Sequence, residues 1–91
     1  MEKTLYGKIA SQPAVVAVPG SFVVFVLVEV DGKYYKLFYK THGFLNNMFS
    51  DILVSSIGDE IQVEFLLSRY KEAMEIKRFF NKTRDLGESI L

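Results

Sequence analysis

The sequence contains no cysteine and no tryptophan, and it has a single histidine, His42. Without cysteine, disulfides and thiolate metal sites are excluded, and one histidine cannot assemble the usual transition-metal ligand sets. A glycine-rich phosphate loop is also missing, and the carboxylates are scattered, with Asp59 and Glu60 interpreted as a solvated turn. These absences predict a protein that is not an enzyme and that uses no metal or cofactor.

Long hydrophobic runs and an excess of either charge are lacking too. The longest apolar run, Phe22 to Val28, is too short to span a bilayer. The N-terminal MEKTLYGK lacks the apolar segment and cleavage site of a signal peptide, so a cytoplasmic protein without membrane contact is expected. Eleven basic residues balance eleven acidic ones, which argues against a strongly electrostatic nucleic-acid binder. Lysines gathered on one face would still form a local basic groove.

The most informative stretch is Phe22–Lys40, in which two runs of aromatic and β-branched residues are joined by Asp31-Gly32. An Asp-Gly pair in this setting is a strong hairpin signal, because a type I′ turn needs a positive φ at both central positions. Counting outward from this turn pairs the strands in a single register: Val30 with Lys33, Glu29 with Tyr34, Val28 with Tyr35, Leu27 with Lys36, Val26 with Leu37, Phe25 with Phe38, Val24 with Tyr39 and Val23 with Lys40.

Side chains alternate between the two faces of a sheet, so these pairs sort into two sets. One set is nearly all apolar and is predicted to face the core: Val24, Val26, Val28, Val30, Tyr35, Leu37 and Tyr39. The other set alternates aromatic rings with lysines, which suits a surface that stacks bases and neutralises phosphates: Val23, Phe25, Leu27, Glu29, Tyr34, Lys36, Phe38 and Lys40. The alternative is that another strand or a partner covers Phe25 and Phe38 while the lysines extend to water.

The N-terminal third predicts one further strand. Thr4–Ala10 alternates, with Gly7 marking a bulge or a sharp bend. Pro19-Gly20 is a turn signal, so Ser11–Ser21 is expected to be a long loop or a short strand followed by a loop. The alternative is that residues 14–18 extend the first strand.

The second half of the chain predicts a helix and two strands. Apolar residues recur at helical spacing from Phe44 to Leu53, which predicts an amphipathic helix of about three turns. Ile61–Leu67 alternates and predicts a fourth strand, and Met74–Phe80 predicts a fifth. In the fifth strand Phe80 is expected to point inward and Phe79 outward.

Five strands with one helix between the third and the fourth is the order of the OB-fold, a small Greek-key barrel. The expected fold is therefore mainly β, a five-stranded OB-like barrel; an α+β sheet with one helix on a face is the alternative. The chain resembles OB-fold single-stranded-DNA-binding proteins, including the small primosomal replication protein N-like type, in pattern and element order over Thr4 to Lys82. Residues 1–82 are expected to form the barrel domain and residues 83–91 a C-terminal tail.

This resemblance implies a ligand site across strands two and three, flanked by the first-to-second and fourth-to-fifth loops. Glu29 and Glu72 would repel phosphates within that site. The implied nucleic-acid-binding residues lie on the hairpin, the first strand and the fourth-to-fifth loop: Phe25, Tyr34, Lys36, Phe38 and Lys40; Tyr6 and Lys8; and Arg69, Tyr70 and Lys71.

The expected function is binding of single-stranded nucleic acid, DNA in the first place, without sequence preference. The alternative is a protein-interaction module or homodimer that buries the Phe25/Phe38 patch, which fits the zero net charge better. A role in DNA replication and a replication protein partner are implied by the resemblance alone. A small-molecule or oligosaccharide binder has no specific residue behind it. The basic run with Lys77, Arg78, Lys82 and Arg84 is interpreted as edge-strand charge that discourages aggregation, with nucleic-acid contact as the alternative.

Overall fold

The computed structural model describes residues 2–42, 46–67 and 74–87. Over these ranges seven strands and one helix follow one another along the chain: β1 (Glu2–Ile9), β2 (Ala14–Val18), β3 (Ser21–Val30), β4 (Lys33–His42), α1 (Asn47–Leu53), β5 (Glu60–Leu67), β6 (Met74–Asn81) and β7 (Leu86–Gly87).

Five of the strands close into a barrel. β1 pairs antiparallel with both β3 and β5, β3 pairs with β4, β5 pairs with β6, and a parallel pairing of β4 with β6 completes the ring. The predicted mainly β, five-stranded OB-like barrel with one helix is therefore confirmed. The interior is filled by apolar side chains from the barrel strands and α1: Ile9, Val24, Val26, Val28, Leu37, Phe49, Ile52, Ile61, Val63, Phe65, Ile76 and Phe79.

The predicted hairpin register is confirmed, pair for pair, from Val30–Lys33 to Val23–Lys40. Both turn residues have positive φ, 50° for Asp31 and 82° for Gly32, as a type I′ turn requires. The turn chemistry therefore decides which side chains of β3 and β4 face the core.

Residues 14–18 form a separate strand, β2, which pairs with β3 through the Pro19-Gly20 turn and lies outside the barrel ring. This settles the choice that the sequence leaves open. It also makes α1 follow the fourth strand of the chain, although it still follows the third strand of the barrel.

The helix is shorter than the three turns predicted from Phe44. It starts at Asn47 because the Asn46 side chain caps it, accepting a hydrogen bond from the Phe49 N–H at 2.9 Å. Residues 43–45 lie outside the described residues.

The inward and outward assignments of Phe79 and Phe80 were wrong. Phe79 is buried and Phe80 is only half-buried. The register of β5 with β6 shifts between Glu64 and Phe65, so that Lys77 is an extra residue on β6. A single extra residue reverses the alternation for everything after it.

Gly7 lies where β1 changes partners. Up to Lys8 the strand pairs with β5, and Lys8 and Ile9 also pair with β3. A Cβ atom on Gly7 would lie 2.5 Å from the Glu29 carbonyl oxygen and under 3.0 Å from the side chains of Val28 and Val30. The missing side chain thus permits β1 to cross closely over β3, consistent with the predicted bend.

The described residues after Lys82, residues 83–87, continue to contact the barrel. The Thr83 hydroxyl oxygen accepts a hydrogen bond from the Glu60 N–H at 2.8 Å, and β7 pairs with β6. The expected boundary at residue 82 falls in the turn between these two strands and stays a prediction.

Candidate functional site

The outward side chains of the β3–β4 hairpin form a continuous surface, here called the hairpin face. Val24, Val26, Val28 and Leu37 are buried in the core, so the alternate residues lie outside the barrel. The hairpin face consists of these residues: Val23, Phe25, Leu27, Glu29, Tyr34, Lys36, Phe38 and Lys40.

The aromatic residues of the hairpin face differ in how accessible they are. Tyr34 is 64% exposed, whereas Phe25 and Phe38 are half-buried and lie directly opposite each other. Tyr34 therefore offers a whole ring to a ligand, and the phenylalanines offer partly covered ones. Lys36 and Lys40 are exposed beside them.

The side chains of Lys36 and Phe25 are in contact. The Lys36 ammonium lies over the Phe25 ring, with its nitrogen 5.3 Å from the ring centroid. This geometry fits a cation–π interaction. Two predicted site residues, Phe25 and Lys36, therefore contact each other in the protein without a ligand.

A cavity of about 290 Å³ opens beside Phe25. Ser11 and Gln12, from the segment between β1 and β2, line it together with Ala14, which pairs with Phe25 across β2 and β3. Lys36 and Leu27 complete the hairpin side of its lining. The lining therefore combines apolar side chains with a single ammonium group, that of Lys36.

Tyr6 and Lys8 extend the surface onto β1. Lys8 is exposed and pairs with Glu29, which in turn faces Tyr34, so a row of three side chains crosses three strands. Tyr6 is 50% exposed and lies across from Gln62 of β5. Both residues line a second cavity, of about 260 Å³, whose other lining residues include Gln62 and Lys82.

The charge on this part of the surface is positive despite the zero net charge of the chain. Lys8, Lys36 and Lys40 stand against two carboxylates, Glu29 on the hairpin face and Glu60, which pairs with Lys8 on β5. A third acid, Glu75, lies next to Phe38 across the β4–β6 pairing, where it forms an ion pair with Lys77 at 3.1 Å. Sequence reasoning missed Glu75, because only the barrel closure brings β6 beside β4.

The basic run near the C-terminus is largely engaged with acids. Besides Lys77, the Arg78 guanidinium lies 3.9 Å from the Glu64 carboxylate, and Arg84 lies 2.7 Å from Asp59. Lys82 instead lines the cavity beside Tyr6 and Lys8. The run thus does not form one basic stripe, and Lys82 is the residue that sequence reasoning did not connect with the candidate site.

Arg69, Tyr70 and Lys71, the predicted contribution of the fourth-to-fifth loop, lie outside the described residues. Their assignment to the site stays a prediction, as do the roles of the other seven residues. Within the described ranges, no group of three or more His, Asp or Glu side chains is placed to hold a metal ion. No helix in those ranges is long and apolar enough to cross a membrane.

Asp59 belongs to a polar cluster that follows the C-terminal end of α1. The interpretation of Asp59 as part of a solvated turn was therefore wrong. Asp59 is buried, and its carboxylate accepts hydrogen bonds from the Ser56 N–H, the Asn81 amide and the Arg84 guanidinium at 2.7–3.0 Å. Burial disfavours its charged form, but these donors and the Arg84 charge outweigh that effect and hold the pKa of Asp59 below its ordinary value.

The Ser55 hydroxyl lies in the same cluster. It donates to the Asp51 carbonyl oxygen and accepts from the Asn81 amide, at 2.8 and 2.9 Å. Its hydrogen-bonding capacity is therefore used within the protein, and the cluster joins the end of α1 to the end of β6. These hydrogen bonds hold the segment after α1 against the end of β6, which is a structural role.

Comparison with known proteins supports the fold. No protein-family model and no curated protein matches this sequence. Among solved structures, the SSB domain of a Synechococcus protein superposes with a TM-score of 0.65 over 86% of this chain and 91% of that domain, at 14% sequence identity. The chain is thus similar to an SSB domain in its barrel, and at this identity the likeness concerns the fold.

Proposed function

We propose that this protein binds single-stranded nucleic acid, DNA in the first place, across the hairpin face and without sequence preference. The observation that carries the proposal is the alternation of exposed lysines with aromatic rings on the outer surface of the central hairpin. Aromatic platforms in a positively charged groove suit single strands, because every base has a face to stack and every nucleotide a phosphate. The likeness to an SSB domain is in keeping with it.

The roles of the residues follow from their exposure. Tyr34 is the first stacking platform, and Phe38 and Phe25 extend the stack toward β2. Lys8, Lys36 and Lys40 neutralise phosphates along the path, while Tyr6 continues the surface on β1. Arg69, Tyr70 and Lys71 are included as contacts from the loop before β6. The protein acts by binding and not by catalysis.

The test is fluorescence anisotropy of a labelled oligo-dT, titrated with the protein at a series of salt concentrations. With three lysines on phosphates, log K against log salt should fall with a slope of about −2, since each phosphate contact on a single strand contributes about −0.7. Absence of binding at low salt would overturn the proposal. That outcome would instead favour the alternative, a protein-interaction surface or homodimer centred on Phe25 and Phe38, whose association should hardly depend on salt.

A role in DNA replication, with a replication protein as partner, belongs to the same proposal. It rests on the resemblance of the chain to the small replication-accessory OB-fold proteins and on no residue of its own. A cytoplasmic location is likewise a prediction from the sequence.

A further inference from the structure

β2 is an edge strand with no visible protection. Its five residues, AVVAV, are all exposed and all uncharged, and Val16 at the centre of the strand is 47% exposed. Within the described residues β2 pairs with β3 only, so its other edge is open. Natural edge strands usually carry charges, bulges or an internal proline that prevent pairing. In β2 the register with β3 runs unbroken over all five residues.

We propose that β2 pairs antiparallel with β2 of a second copy of this chain, about a two-fold axis at Val16. A two-fold axis at that residue sets Val15 against Ala17 and Ala14 against Val18, so each larger side chain meets a smaller one. An isologous dimer requires a surface that complements itself, and a short apolar strand without charge does so. A strongly charged partner would find no opposite charge on this strand to recognise.

The main chain fits the same register. The Pro19-Gly20 turn closes on the pair Val18–Ser21, and hydrogen-bonded and non-hydrogen-bonded pairs alternate from there. The N–H and C=O groups of Val15 and Ala17 then point to the open edge. A two-fold axis at Val16 pairs Val15 with Ala17 of the partner subunit, which gives four main-chain hydrogen bonds with no proline among the donors.

The dimer would carry two hairpin faces on one surface. Antiparallel strands in one sheet are related by an axis perpendicular to that sheet, so both copies keep the same face outward. The strand order becomes β4-β3-β2 followed by β2-β3-β4 of the partner, which places the two hairpins about 20 Å apart at the usual strand spacing. The pairing itself does not depend on nucleic-acid binding, but if the proposed function holds, a single strand can engage both faces.

The first test is sedimentation velocity over a concentration series from low micromolar upward. The wild-type protein should dimerise reversibly. Val16→Lys should weaken the dimer about ten-fold or more, because two ammonium groups would meet directly across the axis. Ile57→Lys adds the same charge at an exposed site away from β2 and should leave the dimer unchanged. A monomer at every concentration, or a dimer that survives Val16→Lys, would overturn the proposal.

A cross-linking test locates the axis without relying on a charge. The chain has no cysteine, so Val16→Cys introduces the sole thiol. Residues opposite each other in a non-hydrogen-bonded antiparallel pair lie about 4.5 Å apart at Cα, within the range of a disulfide. Mild oxidation should therefore link the Val16→Cys variant rapidly and the Ile57→Cys control slowly. Equal rates for the two variants would refute pairing through β2, whatever the outcome of oligonucleotide titrations.

Discussion

The Lys36 ammonium lies over the ring of Phe25 on the neighbouring strand. Lys36 pairs directly with Leu27, and Phe25 lies two residues before Leu27 on β3. A cation–π contact at an exposed site contributes about 0.5–1 kcal/mol, whereas stacking of a base on an aromatic side chain contributes about 1–3 kcal/mol. If the hairpin face binds single strands as proposed, a base would therefore displace the ammonium from the ring. The displaced ammonium is then free to meet a phosphate, so one movement would prepare both contacts.

Lys36→Met should make binding to oligo-dT less dependent on salt. The variant keeps most of the apolar stem over Phe25 and removes the charge, so one phosphate contact is lost. The slope of log K against log salt should become about 0.7 less negative. Lys3→Met, an exposed lysine on β1 outside the proposed site, should leave the slope unchanged. Equal slopes for wild type and Lys36→Met would remove Lys36 from the proposed interface.

Tyr34→Ala should weaken binding without affecting stability. The ring is 64% exposed, so its loss removes a stacking platform and little packing. We expect a loss of about 1–3 kcal/mol in oligo-dT binding, measured by anisotropy, and a melting temperature close to that of the wild type. Unchanged affinity would show that bases do not stack on this residue.

Phe38→Ala separates the two interpretations of the hairpin face. If Phe38 stacks a base, affinity should fall by about 1–3 kcal/mol while the domain stays folded. If it is instead part of the packing between β4 and β6, the loss of binding should follow a lowered melting temperature. Calorimetry and anisotropy on the same preparation distinguish the two results.

Gly7→Ala should destabilise the barrel. The added Cβ would lie 2.5 Å from a main-chain oxygen on β3, which cannot yield as a flexible side chain would. Overpacking of this kind costs about 1–3 kcal/mol, measured by urea denaturation. Gly20→Ala is the control, because nothing lies within 4 Å of its Cβ position and only its φ of 75° is unfavourable. A smaller loss for Gly7→Ala than for Gly20→Ala would contradict the close crossing.

Asp59→Asn should lower the free energy of unfolding by about 1–3 kcal/mol near neutral pH, since hydrogen bonds to a charged acceptor are lost. The pKa of Asp59 is lowered in the folded protein, so the carboxylate stabilises the fold above the ordinary carboxyl pKa. That contribution disappears as the pH falls through the folded-state pKa, and the difference between variant and wild type should narrow below about pH 4.

Urea denaturation at several pH values measures this difference. Asp31→Asn is a suitable control, because that carboxylate is exposed in the hairpin turn and asparagine also suits the turn. A gap between Asp59→Asn and wild type that stays constant from neutral to acid pH would contradict the assigned role of the carboxylate.

The sequence predicted the features that depend on local chemistry. The Asp31-Gly32 turn determines the hairpin register, and the register determines which residues reach the hairpin face. The prediction failed where residues distant in the sequence come into contact. The extra residue Lys77 on β6 reverses the directions of Phe79 and Phe80, and the buried Asp59 is paired with Arg84, which lies beyond β6 in the chain. No pattern within either segment reveals these partners.

The candidate site likewise has one part that could be predicted from the sequence and another part that depends on distant contacts. Seven of the ten predicted residues lie on outward positions of β1, β3 and β4, where alternation alone places them. Glu75 and Lys82 were not connected with the site, because they join it through barrel closure and the turn after β6.

The barrel closes through a short parallel pairing. Over the described residues β4 meets β6 at two positions, Leu37 with Met74 and Phe38 with Glu75, while β3 and β4 share ten. Few main-chain hydrogen bonds hold this seam, so transient openings that separate the strands should begin there, and deuterium should replace its amide hydrogens earlier than those of the hairpin. Because β3 and β4 would move together in such an opening, the breathing of the barrel would leave the hairpin face intact.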